Sequence, residues 1–386
     1  MMYAHTLTEL LHAKTLGSRL VFYEWNATMS KAAFSWSKAA VLTASVLLLT
    51  ACGAGDDSGE AGASREDTTL IVYSNSVSDG RGEWLADRAE TEGFNIELVD
   101  LGAGDIQNRL IAEKGNPAAD VAFGPTNVQF ETLKEAAVLE NYTPEWASEV
   151  EEYVAGGEDG AFWPIVREPI MLIHNTEAYP AGEGPQSWPD LWENEKFHGK
   201  YETQTVLGGG TTRMVITGIL APYFDENGKL GVSDEGWTAI EEFFANGNPS
   251  IEGTDLFARM ANGEVDAGQM WLAGKFSREE EYGITTEAAN PETGVPFVYQ
   301  NIGLVAGSEN QEISQEFIDW FGSAEVQAAW SQEFFTAPTN AAAIEDANTE
   351  AVEATSAFTE QDIDWAVVAE NVDAWMEEIE LNYIKL

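Results

Sequence analysis

The chain has 386 residues, 44% of them hydrophobic, with 66 acidic against 19 basic side chains and a formal net charge of −47. That apolar share is enough for packed cores and excludes a disordered polymer. The charge excludes nucleic acid as a partner and flat adsorption on anionic lipid, and it favours solubility in salt, where the Debye length falls to about 3 Å at 1 M.

The first informative element is Ala39 to Leu49, an apolar run behind Lys31 and Lys38 that ends in Leu49-Thr50-Ala51-Cys52, with Cys52 the single cysteine. Basic flank, short apolar core and small residues before cysteine resemble a bacterial lipobox. The core is too short for a spanning helix of roughly 20 residues. The resemblance implies cleavage before Cys52 and acylation of its sulfur with diacylglycerol and palmitate-type chains, outside the cytoplasm. Met29 opens a better signal peptide than Met1. We therefore expect residues 1–51 to be leader and signal peptide, and 52–67, rich in Gly, Ala, Ser and Asp, to be a flexible tether. With no second cysteine, an internal disulfide is excluded.

The remaining chain exceeds a single core and predicts two lobes. Thr68 to Tyr73 reads as a strand ended by Ser74-Asn75-Ser76, followed by a helix over 82–92. Phe94 to Leu98 is the next strand. Ile106, Leu110 and Ile111 mark a helix, and Asp120 to Phe123 a third strand before Gly124-Pro125-Thr126-Asn127. This alternation predicts a parallel sheet covered by helices, with ligand-binding residues beyond the strand ends. Ser74, Asn75, Ser76, Thr126 and Asn127 occupy those ends. A helix near 129–137 precedes Phe162 to Val166 and Pro169 to Asn175, an extended crossing into the second lobe. There Ser187-Trp188-Pro189-Asp190-Leu191-Trp192 starts a helix with an early proline. Thr203 to Leu207 leads to Gly208-Gly209-Gly210-Thr211-Thr212-Arg213 and a helix over 214–220. A further block ends at Val265 to Trp271, and Phe297 to Val305 returns the chain to the first lobe. Helical runs follow near 315–321, 324–334 and 363–379. No repeat of fixed period is present.

The lipobox and tether, Ser74-Asn75-Ser76, Gly115-Asn116-Pro117-Ala118-Ala119-Asp120-Val121, Asn175, Ser187-Trp188-Pro189-Asp190-Leu191 and Gly263-Glu264-Val265-Asp266-Ala267 together resemble the family 1 extracellular solute-binding proteins. The nearest branch holds ferric iron, phosphonate, sugar-phosphate and thiamine receptors, and the likeness spans about 68–345. It implies an α/β, two-lobe, type II periplasmic-binding fold, each lobe a mostly parallel sheet flanked by helices, with two or three hinge crossings and a cleft that closes on its ligand. On that plan the first lobe is 68–167 plus 301–345, the second 168–300, and 346–386 a C-terminal helical segment.

Within that frame the glycine loop is the sharpest chemical feature. Glycines admit close backbone approach, and a helix starting there presents unpaired N–H groups with partial positive charge. Gly209, Gly210, Thr211, Thr212 and Arg213 are therefore expected at an anionic group; the alternative is a tight turn with Thr211 as N-cap. Ferric members of the resembling family carry two adjacent tyrosines beyond the Gly263 motif, where this chain reads Met270-Trp271-Leu272. Neither Tyr282 nor Tyr299 restores the pair. Trp271 and Tyr299 are expected on the cleft wall. Arg167-Glu168 either lines the cleft or forms a structural ion pair, with Arg167 as the candidate. His174, in an apolar run, reads as structural. Runs such as Glu279-Glu280-Glu281 read as solvated surface. No Gly-x-Ser-x-Gly elbow or metal-ligand spacing is present.

The expectation is a non-enzymatic receptor, with no cofactor and no metal, that captures a small polar solute and delivers it to ABC permease subunits. It would be a monomer reaching the membrane by its lipid anchor only. A phosphonate- or phosphate-ester-like solute is expected; the alternatives are ferric iron, a cationic polyamine or thiamine solute, an extracellular lipoprotein enzyme, or an adhesion scaffold.

Overall fold

The computed structural model describes residues 65–150 and 160–384; the leader, Cys52 and the tether up to residue 64 lie outside the described residues. The last residues of the expected tether, Arg65–Asp67, form a 3-10 turn. Arg65 pairs with Glu316 and stacks 4.7 Å over the Phe94 ring, which docks this segment on the body.

The first lobe starts with β1 (Thr69–Ser74), α1 (Arg81–Thr91), β2 (Asn95–Asp100), α2 (Ala103–Ala112), β3 (Val121–Phe123), α3 (Asn127–Glu135) and β4 (Leu139–Glu140). β1 lies between β2 and β3, parallel to both, which is the expected crossover topology. Alternation along β1 explains why helices cover both faces. Leu70 and Val72 enter one core with Phe123, Phe317 and Trp330, while Ile71 and Tyr73 face another with Ile106 and Phe130.

β5 (Trp163–Asn175) is one strand shared by both lobes. Its first half pairs with β11, and from Ile170 it pairs with β9 and β10. The second lobe holds α4 (Asp190–Glu193), β6 (Glu202–Thr203), α5 (Gly210–Leu220), β7 (Phe224–Lys229), α6 (Asp234–Asn246), β8 (Asn248–Pro249), α7 (Leu256–Ala261), β9 (Ala267–Trp271), α8 (Leu272–Tyr282) and β10 (Thr286–Ala288). The strand read over 203–207 is only β6, because the chain leaves its partner β8 after Thr203. β11 (Phe297–Val305) returns antiparallel to β3, followed by α9 (Gln311–Phe321), α10 (Ala324–Phe334), β12 (Ala337–Pro338), α11 (Thr349–Ser356) and α12 (Trp365–Asn382).

The C-terminal segment is not a separate appendage. After α11 the chain crosses the hinge a third time, beside Val295, which exchanges backbone hydrogen bonds with Thr359 and Gln361. α12 then buries Val368, Val372, Trp375 and Met376 in the second lobe's core with Ile216, Ile219 and Leu220. No helix among the described residues is long and apolar enough to cross a membrane.

Two acidic motifs are structural. Glu264 pairs with Arg259, and Asp266 accepts from Tyr179 Oη at 3.2 Å. Glu279 is no solvated charge: it accepts from Lys275 Nζ at 2.9 Å and from Thr286. His174 is buried as expected, yet neither ring nitrogen has a hydrogen-bond partner. Burial pushes its pKa down, with Glu287 opposing.

Candidate functional site

A cavity of ≈ 210 Å³ opens where the two halves of β5 meet, walled by loops of both lobes. From the first lobe come Asn75, Ser76, Ser78, Asp79 and Arg81, in the turn from β1 into α1, with Gly124 and Thr126 after β3. Gly210, Thr211 and Trp271 form the second lobe's wall, and Glu168, Ile170, Val298 and Gln300 the floor. Of the residues expected here, Asn75, Ser76, Thr126, Gly210, Thr211 and Trp271 meet at this cavity.

Gly124 leaves no room for a side chain in the wall. Its φ of +104° is a left-handed conformation, and an added Cβ would stand 2.5 Å from both Asn75 Oδ1 and Ser76 Oγ. Glycine is therefore required twice, by backbone and by space. Ser74 lies one step back: fully buried, its Oγ accepts from Ser76 N at 3.0 Å and shapes the turn that presents Ser76. Thr126 caps α3 through a capping box with Gln129, and Asn127, the first residue of that helix, is not on the wall.

The glycine loop acts differently from expectation. α5 starts at Gly210 with Gly209 as N-cap, and no side chain caps it, so its first-turn N–H groups stay available beside the cavity. Gly208 and Gly209 have ordinary φ values, and an added Cβ would find open space or only a 3.9 Å contact. Their conformational freedom is not what the site uses. Each residue turns a helix by about 100°, so Thr211 faces the cavity while Thr212 and Arg213 rotate away. Thr212 Oγ1 accepts from Gln269 Nε2 at 2.9 Å, and Arg213 forms an ion pair with Asp373 of α12.

The parity of the two crossing strands corrects two further expectations. Register places Val298 opposite Glu168 and Tyr299 opposite Arg167. Glu168, Val298 and Gln300 face the cavity, so Arg167 and Tyr299 face the other side of the sheet. Arg167 stacks over Phe297 at 5.0 Å, and Tyr299 Oη donates to Glu360 Oε2 at 2.7 Å. Arg167 and Glu168 therefore do not form the ion pair considered for them.

The cation on the wall is Arg81, absent from the sequence-derived site. Its guanidinium donates to Asp79 Oδ2 at 3.4 Å and stacks 5.0 Å from the Phe334 ring. The available signal was its place directly after the first strand's turn, at the start of a helix. Of the pair considered for the cleft, Glu168 and not the chosen Arg167 lines the cavity. Glu168 is only 4% exposed, with Oε1 accepting from Ala273 N at 3.2 Å and Oε2 from Gln300 Nε2 at 3.1 Å. Burial raises its pKa, against the lowering field of Arg81 and these two hydrogen bonds. Trp271, the last residue of β9, lies against Gly274, where an added Cβ would sit 2.3 Å from the ring, and Arg278 stacks on it at 4.9 Å.

Residues 84–360 match the model of the bacterial extracellular solute-binding protein family. The chain belongs to that family. This solute-binding protein is 30% identical over 313 residues to y4fP of Sinorhizobium fredii, named a probable ABC transporter periplasmic-binding protein, covering 81% of this chain and 86% of that one. A Salmonella typhimurium periplasmic protein provisionally named for 2-aminoethylphosphonate binding is 25% identical over 283 residues, covering 69% of this chain and 77% of that one. Among solved structures, the periplasmic binding protein AfuA of Actinobacillus pleuropneumoniae, with exogenous fructose-6-phosphate bound, superposes with a TM-score of 0.65 at 20% identity, covering 82% and 99% of the chains. That likeness shows the two-lobe periplasmic-binding fold. The chain is thus a solute-binding protein of the kind that serves ABC importers.

Proposed function

We propose that this protein captures a small anionic solute of the phosphonate or phosphate-ester class between its lobes and hands it to an ABC permease. The observation that carries this reading is the uncapped N-terminus of α5, which opens with Thr211 on the same cavity as Arg81. Backbone N–H groups, a threonine hydroxyl and a guanidinium are the donor set an oxyanion needs. Ser76, Ser78 and Asn75 add polar contacts from the facing lobe. The relatives named for an aminophosphonate and the neighbour holding a sugar phosphate agree with such a ligand. A local donor cluster outweighs the repulsion of the net charge at short range, more so in salt.

Ferric capture has less support, because among the described residues no tyrosine stands on this wall and the carboxylates there are Asp79 and Glu168. Lipid attachment at Cys52, action as a monomer and an extracytoplasmic location complete the proposal, supported by the lipobox and by the family.

Thermal-shift screening of the mature protein against phosphonates, phosphate esters, polyamines, thiamine and ferric citrate tests it. Stabilisation by a phosphonate or phosphate ester, weakened about tenfold or more by Thr211→Val, is expected for loss of one charge-assisted hydrogen bond. Stabilisation by a polyamine or ferric citrate alone, indifferent to Thr211, would overturn it.

A further inference from the structure

The cavity floor carries acceptors that an anion does not use. Glu168 is buried and uses two of the roughly four acceptor positions of a carboxylate. It has no ion-pair partner among the described residues: Arg81 acts on it through the field, while its guanidinium is engaged by Asp79, by Ser78 O and by the Phe334 ring. Gln300 gives its Nε2 to Glu168, which fixes the amide orientation and turns Oε1 elsewhere; that oxygen is buried and has no partner. Asn75 Oδ1, at the edge of the same cavity, is likewise buried without a partner. A buried carboxylate without a counter-ion, flanked by orphaned carbonyl oxygens, is costly unless a donor arrives to satisfy it.

An ammonium group is that donor. It carries three N–H bonds and one positive charge, which match a carboxylate and neighbouring amide oxygens. A neutral hydroxyl would leave the carboxylate unneutralised. Among the described residues no group of three His, Cys, Asp or Glu side chains is placed to hold a metal ion.

We infer that the solute is a compact zwitterion, its oxyanion at Thr211 and the α5 N-terminus and its protonated amine on Glu168 and Gln300 Oε1. This rests on the anionic reading of the cavity and adds the second charge. The class is an aminoalkyl phosphonate or the phosphate ester of an amino alcohol. The volume of ≈ 210 Å³ suits a molecule of this size. Glu168 is then the residue that sets specificity between amine-bearing and amine-free anions.

Calorimetry on the purified mature protein with matched probes decides the matter: 2-aminoethylphosphonate against ethylphosphonate, and O-phosphoethanolamine against ethyl phosphate. The wild type should prefer the amine-bearing member of a pair by roughly 10- to 100-fold, the size of one to two charge-assisted hydrogen bonds. Glu168→Gln should abolish that preference, and a cooperative thermal unfolding transition shows that the variant is folded. Gln300→Met should reduce the preference without abolishing it. Equal binding within both pairs by the wild type overturns the zwitterion inference and leaves the anionic reading standing. Preference that survives Glu168→Gln removes Glu168 from the role. Failure of all four probes on folded wild type overturns the anionic reading and this inference with it.

Discussion

Replacing Gly124 by alanine strikes the cavity wall where it has no room for a side chain. The residue sits at φ +104°, with its backbone N–H donating to Asn301 O at 2.8 Å, so the chain there is pinned by β11 and has little room to relax. Holding a non-glycine residue in such a region costs about 1–3 kcal/mol of stability. The new methyl would stand 2.5 Å from Asn75 Oδ1 and Ser76 Oγ, so both side chains must move off the cavity wall. Two neutral hydrogen bonds to ligand lost at about 0.5–1.5 kcal/mol each correspond to binding weakened roughly 5- to 150-fold. Gly208→Ala is the paired control: its Cβ meets nothing within 4 Å, and it should leave both quantities unchanged. Chemical denaturation gives the stability term, and calorimetry with whichever phosphonate or phosphate ester binds the wild type gives the affinity. If Gly124→Ala and Gly208→Ala behave alike in both assays, the argument that Gly124 shapes the site is wrong.

Other perturbations have equally definite expectations. Arg259 is buried and fully engaged, donating to Glu202 Oε2 at 2.6 Å, Asn248 Oδ1 at 2.7 Å and Pro249 O at 3.0 Å. Arg259→Met should therefore cost about 3–5 kcal/mol in urea unfolding by stranding Glu202, and adding Glu202→Leu should recover much of it. Because burial raises the pKa of Glu168, the folded state binds more protons than the unfolded one between the ordinary and the raised value. Stability therefore falls as pH rises through that window. Ligand-free Glu168→Gln should melt higher than wild type at neutral pH, and the gap should close as pH drops into and below the ordinary carboxylate range. A gap that widens on acidification would contradict the assignment. Closure of the lobes should shrink the radius of gyration on saturation with ligand, measured by solution scattering; an unchanged profile would count against a hinge at β5 and β11. Cys52→Ala should lose fatty-acid labelling in cells, since the chain has no other cysteine to accept it.

Local pattern determined a great deal about this protein. The alternation of strands and helices from Thr69 to Phe123, the span Phe297–Val305 and the helix Ala324–Phe334 are legible from apolar spacing, because a strand or helix buried on a fixed face must repeat at its own period. The order of short motifs carried the family, and strand-end turns led to Asn75, Ser76 and Thr126. Tertiary structure decided which member of each neighbouring pair meets the ligand. Along β5 and β11 the side chains alternate, so a single register step separates Glu168 from Arg167 and Gln300 from Tyr299; neither sequence alternates polar with apolar residues to reveal the choice. At α5 the helical turn sends Arg213 to Asp373, a partner 160 residues away in a helix that sequence alone left outside the lobes. Arg81 reaches the cavity with Asn75 and Ser76 because the chain after β1 closes in a turn, Arg81 N donating to Ser78 O at 3.1 Å and Gly82 N to Val77 O at 2.9 Å. Which face a side chain takes follows from partners distant in the chain, and that information exists only once the two lobes have folded around their shared strands.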